Sequence, residues 1–211
     1  VEVEENQTAL NEDLSIGIDL GVKDLATCSN GDVFKNINKT KRIKNLKSKL
    51  KHLQRSISRK YESNKQGNKF VKTNNIIKLE KYVKQIYRKL ANIRNNHIHQ
   101  TTNKIIKYYP YRIVMEDLNI SGMMKNKHLS KAIAEQGFYE FIRQIKYKCE
   151  FNGIEFIQAD RFYPSSKTCS CCGSIKKDLK LKDRDYKCDK CGLEINRDYN
   201  ASINLSNYSR A

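Results

Sequence analysis

Five of the seven cysteines in this 211-residue chain fall between residues 169 and 191. Cys169 and Cys172 form one C-x2-C pair and Cys188 and Cys191 another. Fifteen residues separate the pairs, and each runs directly into a glycine, Gly173 or Gly192. Two thiolate pairs at this spacing suit one tetrahedral zinc ion, and the glycines suit tight knuckles whose backbone N–H groups approach the sulfur atoms. Disulfides or ordinary thiols are the plain alternative. The doubled spacing, in a chain that reads as intracellular, favours structural zinc. Cys171 sits inside the first knuckle and competes for a place, but Cys169 preserves the two-residue gap. Cys28 and Cys149 lie on apolar faces and read as core.

A second chemistry comes from acids at the ends of apolar runs. Leu14-Ser15-Ile16-Gly17-Ile18 ends in Asp19, Tyr111-Arg112-Ile113-Val114-Met115 ends in Glu116, and Asp198 opens a short helical stretch. Each has an ordinary explanation: a turn for Asp19, a lysine partner for Glu116, an N-cap role for Asp198. Taken together, carboxylates at neighbouring strand ends of an α/β sheet converge on the edge where ligands bind. Convergent carboxylates repel unless a cation lies among them, and hard oxygen ligands select Mg2+ or Mn2+. Two such ions suit phosphodiester hydrolysis.

These residues need a scaffold, and the apolar pattern supplies one. Residues 14–20, 25–28 and 33–34 read as three short strands in a meander, with Asn30-Gly31 as a turn. Residues 111–115 make a fourth strand. A helical stretch of about twenty residues then ends near Phe151, with Ala134, Phe138, Phe141, Ile142, Ile145 and Cys149 on one face. Residues 154–158 form a fifth strand and 198–206 a last helix. This order predicts a mixed α/β fold in which helical crossovers create a parallel portion of sheet.

The charge is strongly localised. The chain has 41 Lys and Arg against 23 Asp and Glu, a net of +18. Residues 39–107 hold 21 of those bases and two acids, Glu62 and Glu80, so the remainder is close to neutral at −1. Within this segment Ile43, Leu46, Leu50, Leu53 and Ile57, and then Leu79, Val83, Ile86, Leu90 and Ile93, repeat at helical spacing. The expectation is an antiparallel helical hairpin joined by a polar loop over residues 62–75. A solvated face is the plain reading of such charge. A face of nearly one sign lacks the Glu–Lys pairs that would offset its repulsion, which favours phosphate contact through Lys41, Arg42, Lys44, Lys47, Lys51, Arg55, Arg59, Lys81, Lys84 and Arg88. Tyr61, Tyr82 and Tyr87 lie among these charges, placed either to stack on bases or to pack. No apolar run approaches the ~20 residues of a membrane span, so the chain reads as soluble and cytoplasmic, in a prokaryotic cell or nucleoid-associated. It does not begin with Met and opens on a strand-like Val1–Glu4, which reads as the end of an upstream part.

Four blocks together carry a resemblance: Gly17-Ile18-Asp19-Leu20-Gly21-Val22-Lys23, Val114-Met115-Glu116-Asp117-Leu118, Tyr163-Pro164-Ser165-Ser166-Lys167-Thr168-Cys169-Ser170-Cys171-Cys172-Gly173, and Asn196-Arg197-Asp198-Tyr199-Asn200-Ala201. In this order they resemble the transposon-encoded TnpB, or OrfB, family, related to the type V CRISPR effector nucleases. The resemblance spans about residues 14–206. It implies an RNase H-like RuvC nuclease domain with a zinc ribbon inserted before the last acidic motif, and RNA-guided, metal-dependent cleavage of DNA. The catalytic, magnesium-binding acids would be Asp19, Glu116 and Asp198. The zinc ligands would be Cys169, Cys172, Cys188 and Cys191. The parts would be an upstream remnant or linker over 1–13, RuvC segments at 14–38, 108–162 and 196–211, the basic hairpin insertion at 39–107 and the ribbon at 163–195. Asn196 stands where the family often has an acid. Family members resemble a chain roughly twice as long, whose upstream part holds the guide RNA and reads the motif beside the target. A non-cleaving nucleic-acid binder or repressor, and a strand-transfer transposase, are the alternatives.

Overall fold

The computed structural model describes residues 9–180 and 183–209; the strand-like opening Val1–Glu4 lies outside them. Contacts divide the chain into two compact units. One takes the described residues up to Asn36 and from Ile98 onward; the other is residues 37–97.

The first unit is built on a five-stranded mixed sheet. Strands β1 (Asn11–Leu20), β2 (Asp24–Cys28) and β3 (Val33–Lys35) form the antiparallel meander expected from the sequence. Strands β4 (Lys65–Gln66) and β5 (Lys69–Phe70) belong to the second unit, so the sheet resumes at β6 (Pro110–Glu116) and β7 (Glu155–Ala159). The order is β3-β2-β1-β6-β7, and both β6 and β7 run parallel to their neighbours. Parallel neighbours require long crossovers, which the helical segments provide.

Alternation along the two central strands sorts the faces. Ile16, Ile18, Ile113 and Met115 are fully buried in the main core with Phe138, Phe141 and Ile145. Their alternates, Gly17 and Asp19 on β1 and Val114 and Glu116 on β6, project to the opposite face. Val114 there packs with Ala159 and Leu205.

The second unit is the expected hairpin. Helix α1 (Lys41–Ser63) and the start of α2 (Asn74–Ile106) meet through Ile43, Leu46, Leu50, Leu53, Val83, Ile86, Leu90 and Ile93. The bonds Asn38–Arg94, Gln54–Tyr87 and Tyr61–Glu80 fix an antiparallel register. Two of the three interleaved tyrosines thus cross-link the helices. The polar 62–75 segment is not plain loop: β4 and β5 pair into a small ribbon. The tail of α2 contributes Ile98, Ile105 and Ile106 to the first unit's core.

One expectation fails in detail. A separate short helix, α3 (Ile120–Met124), comes first, and the helical stretch ending near Phe151 is broken into α4 (Ser130–Gln136) and α5 (Phe138–Phe151). Gly137 ends α4 with φ of 71°, a left-handed conformation that glycine adopts without a Cβ penalty. Strands β8 (Asp185–Lys187) and β9 (Glu194–Asn196) pair beside the cysteines, and α6 (Arg197–Ser206) closes the fold. Among the described residues no helix is long and apolar enough to cross a membrane.

Candidate functional site

The sheet brings two of the three acids side by side. Register pairs Gly17 with Val114 and Ile18 with Met115, and one step further stand Asp19 and Glu116. The third arrives on α6, which lies on the same sheet face. Gly17 is what permits that approach: a Cβ there would stand 2.0 Å from the Ser202 carbonyl oxygen and 2.3 Å from the Ser206 nitrogen. Both ends of α6 are fixed. Asn196 caps the N-terminus, its Oδ1 accepting from the backbone N–H of Asp198 (3.1 Å) and Tyr199 (3.2 Å). At the C-terminus Arg112 donates to the Ser206 carbonyl (2.7 Å) and to Ser15 Oγ (2.8 Å), placing a cation where helix carbonyls converge. The cap role considered for Asp198 therefore belongs to Asn196, leaving the Asp198 carboxylate for other work.

The electrostatics of the three acids are linked. Burial first, and then the carboxylates of Glu116 and Asp198, hold the Asp19 carboxyl well above the ordinary carboxylate range, while Arg197 pulls it the other way. Arg197 also pairs with Asp198 at 3.5 Å. The adjacent Asp117 is occupied elsewhere, by Arg161 at 2.6 Å. Glu116 instead accepts a hydrogen bond from the hydroxyl of Ser165. A cleft of about 340 Å3 opens beside Asp198, lined also by Lys23, Lys35, Asn196 and Tyr199. Of the three acids only Asp198 lines this cleft; Asp24 on its wall pairs with Lys35 at 3.3 Å.

The cysteines form a tighter group. Ligand atoms of Cys169, Cys172, Cys188 and Cys191 all lie within 4.8 Å of one another, and among the described residues no other set of three or more His, Cys, Asp or Glu does so. The three carboxylates are thus electrostatic neighbours without being drawn that close. Cys169–Cys191 and Cys172–Cys188 are each 3.6 Å apart between sulfurs, near the ~3.8 Å edge of a tetrahedron with Zn–S of ~2.3 Å. The donor set therefore fits zinc. The Ser174 hydroxyl and the backbone N–H groups of Cys191 and Lys190 lower the Cys188 thiol, while against the Leu193 N–H, which lowers it, burial and the neighbouring thiols raise that of Cys191, so the packed thiols share their protons. Cys171 is exposed and lies outside the group. Cys28 and Cys149 are buried in the main core, where desolvation raises both thiols.

The ten basic residues singled out on the hairpin belong to the second unit. Lys51, Arg55 and Arg59 are exposed and line one groove on α1 with Gln54 and Ser58. The residues that sequence reasoning missed are Ser165, which bonds Glu116, and Arg112, Asn200 and Asn204, which tie α6 to β1 and to residues 165–170. The last two left a signal, since asparagines spaced four apart among Ala201 and Leu205 put amides on a buried helix face.

Comparison with known proteins decides the family. A family model, OrfB_IS605, described as a probable transposase, matches residues 1–127. The chain belongs to the OrfB_IS605 family. A second model, the Cas12f1-like TNB domain, matches residues 138–205 of this OrfB chain. Among curated relatives, a candidate RNA-guided DNA endonuclease of Escherichia coli K12, InsQ, is 33% identical over 205 residues, covering 90% of this chain and 48% of its own length. Another from Streptomyces pristinaespiralis is 30% identical, over 90% of this chain and 44% of its own. The CRISPR-associated endodeoxyribonuclease Cas12f1 of Sulfoacidibacillus thermotolerans is 34% identical over 131 residues, 60% of this chain and 30% of its own. The OrfB chain thus spans about half the length of the InsQ and Streptomyces pristinaespiralis relatives. In fold it is similar to a CRISPR-Cas12f ternary complex, with a TM-score of 0.65 at 21% identity over 97% of this chain and 40% of that one.

Proposed function

We propose that this chain carries the nuclease portion of an RNA-guided DNA endonuclease and hydrolyses phosphodiester bonds at an RNase H-like, RuvC-type centre formed by Asp19, Glu116 and Asp198. The observation that supports the reading is the convergence of the three acids: the β1–β6 register stands the half-buried Asp19 beside Glu116, α6 brings Asp198 over the same sheet face, and both neighbours raise the Asp19 carboxyl. A site of like charges is unstable alone and is relieved by cations, so these three residues are the ones that would hold Mg2+ or Mn2+. Such ions, when bound, activate water and stabilise the leaving oxygen of a scissile phosphate. The chain's own residues do the rest. Gly17 seats α6, and Asn196 and Arg112 fix its two ends.

In this reading residues 39–107 are a basic insertion between the first two nuclease segments, and 163–195 are a zinc ribbon before the third. The hairpin holds the nucleic-acid backbone, while a guide RNA and the target belong to the longer protein. The names of the relatives support this: the longer proteins, of which this chain matches 44% and 48%, are named as candidate RNA-guided DNA endonucleases.

The test is cleavage of end-labelled single-stranded DNA by the purified chain with Mn2+ or Mg2+. Nicked products that vanish with Asp19→Ala and with EDTA are expected. Equal cleavage by that variant overturns the assignment. Joined rather than hydrolysed ends would indicate strand transfer, and salt-sensitive binding without cuts in a chain completed with its upstream part would indicate a pure binder.

A further inference from the structure

The first arm of the cysteine ribbon does more than lead into the knuckle. Ser165 is 2% exposed, and its hydroxyl donates to Oε1 of Glu116, a residue 49 positions away. The serine is itself held on both sides: its N–H donates to the Tyr163 carbonyl (2.8 Å), and its carbonyl accepts from the Asn204 amide on α6 (2.7 Å). The same Asn204 amide reaches the Thr168 carbonyl (2.6 Å), and Asn200 receives the Ser170 N–H (3.0 Å) and donates to Thr168 (2.7 Å). Between Thr168 and Ser170 stands Cys169, one of the four clustered thiols. A continuous hydrogen-bonded stitch therefore runs from the thiol cluster, along α6 next to Asp198, to the Glu116 carboxylate.

With its backbone fixed on both sides, Ser165 presents its hydroxyl to Glu116 from a defined position. By binding one oxygen of Glu116 it sets the plane of the carboxylate and leaves the second oxygen for another ligand. Outer contacts of this kind orient metal-binding carboxylates and strengthen metal affinity. We infer that Ser165 is a positioning residue for Glu116, through which the ribbon sets the geometry of the acidic centre. The inference rests on the proposed metal role of Asp19, Glu116 and Asp198.

The experiment is Mn2+ titration of the zinc-loaded chain, following the electron paramagnetic resonance signal of the free ion, for the unaltered protein, Ser165→Ala, Ser165→Thr, Ser166→Ala and Asp19→Ala. Melting curves and zinc content monitor folding. Ser165→Ala is expected to weaken Mn2+ binding about tenfold, the low end for loss of such a contact. Ser165→Thr, which keeps the hydroxyl, and Ser166→Ala are expected to retain affinity within about twofold of the unaltered chain, on the same scale. If Ser165→Ala lowers the melting temperature but binds Mn2+ like the unaltered chain, Ser165 is only structural and the inference falls while the acidic centre stands. If the unaltered chain binds no Mn2+, or Asp19→Ala binds it equally well, the proposed centre falls and takes the inference with it.

Discussion

Gly17 on β1 lies so close to Ser202 on α6 that a single added methyl would sit 2.0 Å from a carbonyl oxygen. The obstacle is backbone, which cannot swing aside as a flexible side chain could. Gly17→Ala is expected to destabilise the fold by about 3 kcal/mol, at the upper end for overpacking, by forcing α6 away from the sheet. Urea unfolding measures the loss. Because α6 also carries Asp198, any metal-dependent cleavage under the proposed function is expected to fall further than the unfolded fraction explains.

The thiol cluster makes a sharp prediction about which cysteines matter. Cys171 is two residues from Cys169 yet outside the group. Native mass spectrometry is expected to find one zinc per chain for Cys171→Ser and none for Cys188→Ser. Structural zinc contributes on the order of 10 kcal/mol to small domains, so hydrogen exchange in residues 163–195 should lose its protection in Cys188→Ser alone.

Glu140 offers a test by pH. Arg143, first, and then Gln144 hold its carboxyl down to about 2. A depressed folded value stabilises the protein above the unfolded carboxylate range, and that contribution is lost as pH falls through the folded value. The pair is partly exposed, with Arg143 53% and Glu140 30% accessible, so solvent screening reduces its worth to about 1 kcal/mol. Glu140→Gln should unfold at lower urea than the parent near pH 6, and the gap should narrow by pH 3.

The hairpin is best tested by salt. If Lys51, Arg55 and Arg59 contact phosphates, replacing all three by Gln should reduce the slope of log affinity against log salt by about 2 for single-stranded DNA. An unchanged slope would return these side chains to the role of a solvated face. Substituting Leu90 with Ala, by contrast, should destabilise the second unit by about 3 kcal/mol through the buried seam.

Much of the fold was legible because it is local. The runs ending in Asp19 and Glu116, the paired cysteines and the two apolar seams of the hairpin are periodic in sequence, and period follows backbone geometry. The break at Gly137 was less visible, since the flanking apolar residues keep helical spacing across it and only the conformation reveals the turn. Of the candidate site, the acids themselves could be named, but not the groups that hold them. Ser165 meets Glu116 across 49 residues, and Asn204 meets Ser165 across 39. Nothing in the local pattern of a serine before a cysteine says which distant carboxylate it will bind. That contact is set by the parallel pairing of β6 with β1 and the docking of α6.

The acids arrive from widely separated parts of the chain, Asp19 on β1, Glu116 on β6 and Asp198 on α6. Synthesis proceeds from the N-terminus, so a chain translated only through the ribbon has its sheet and two of its acids but lacks the helix that brings the third. On the proposed reading a chain that stops short of α6 would hold two of the three acids and no complete centre.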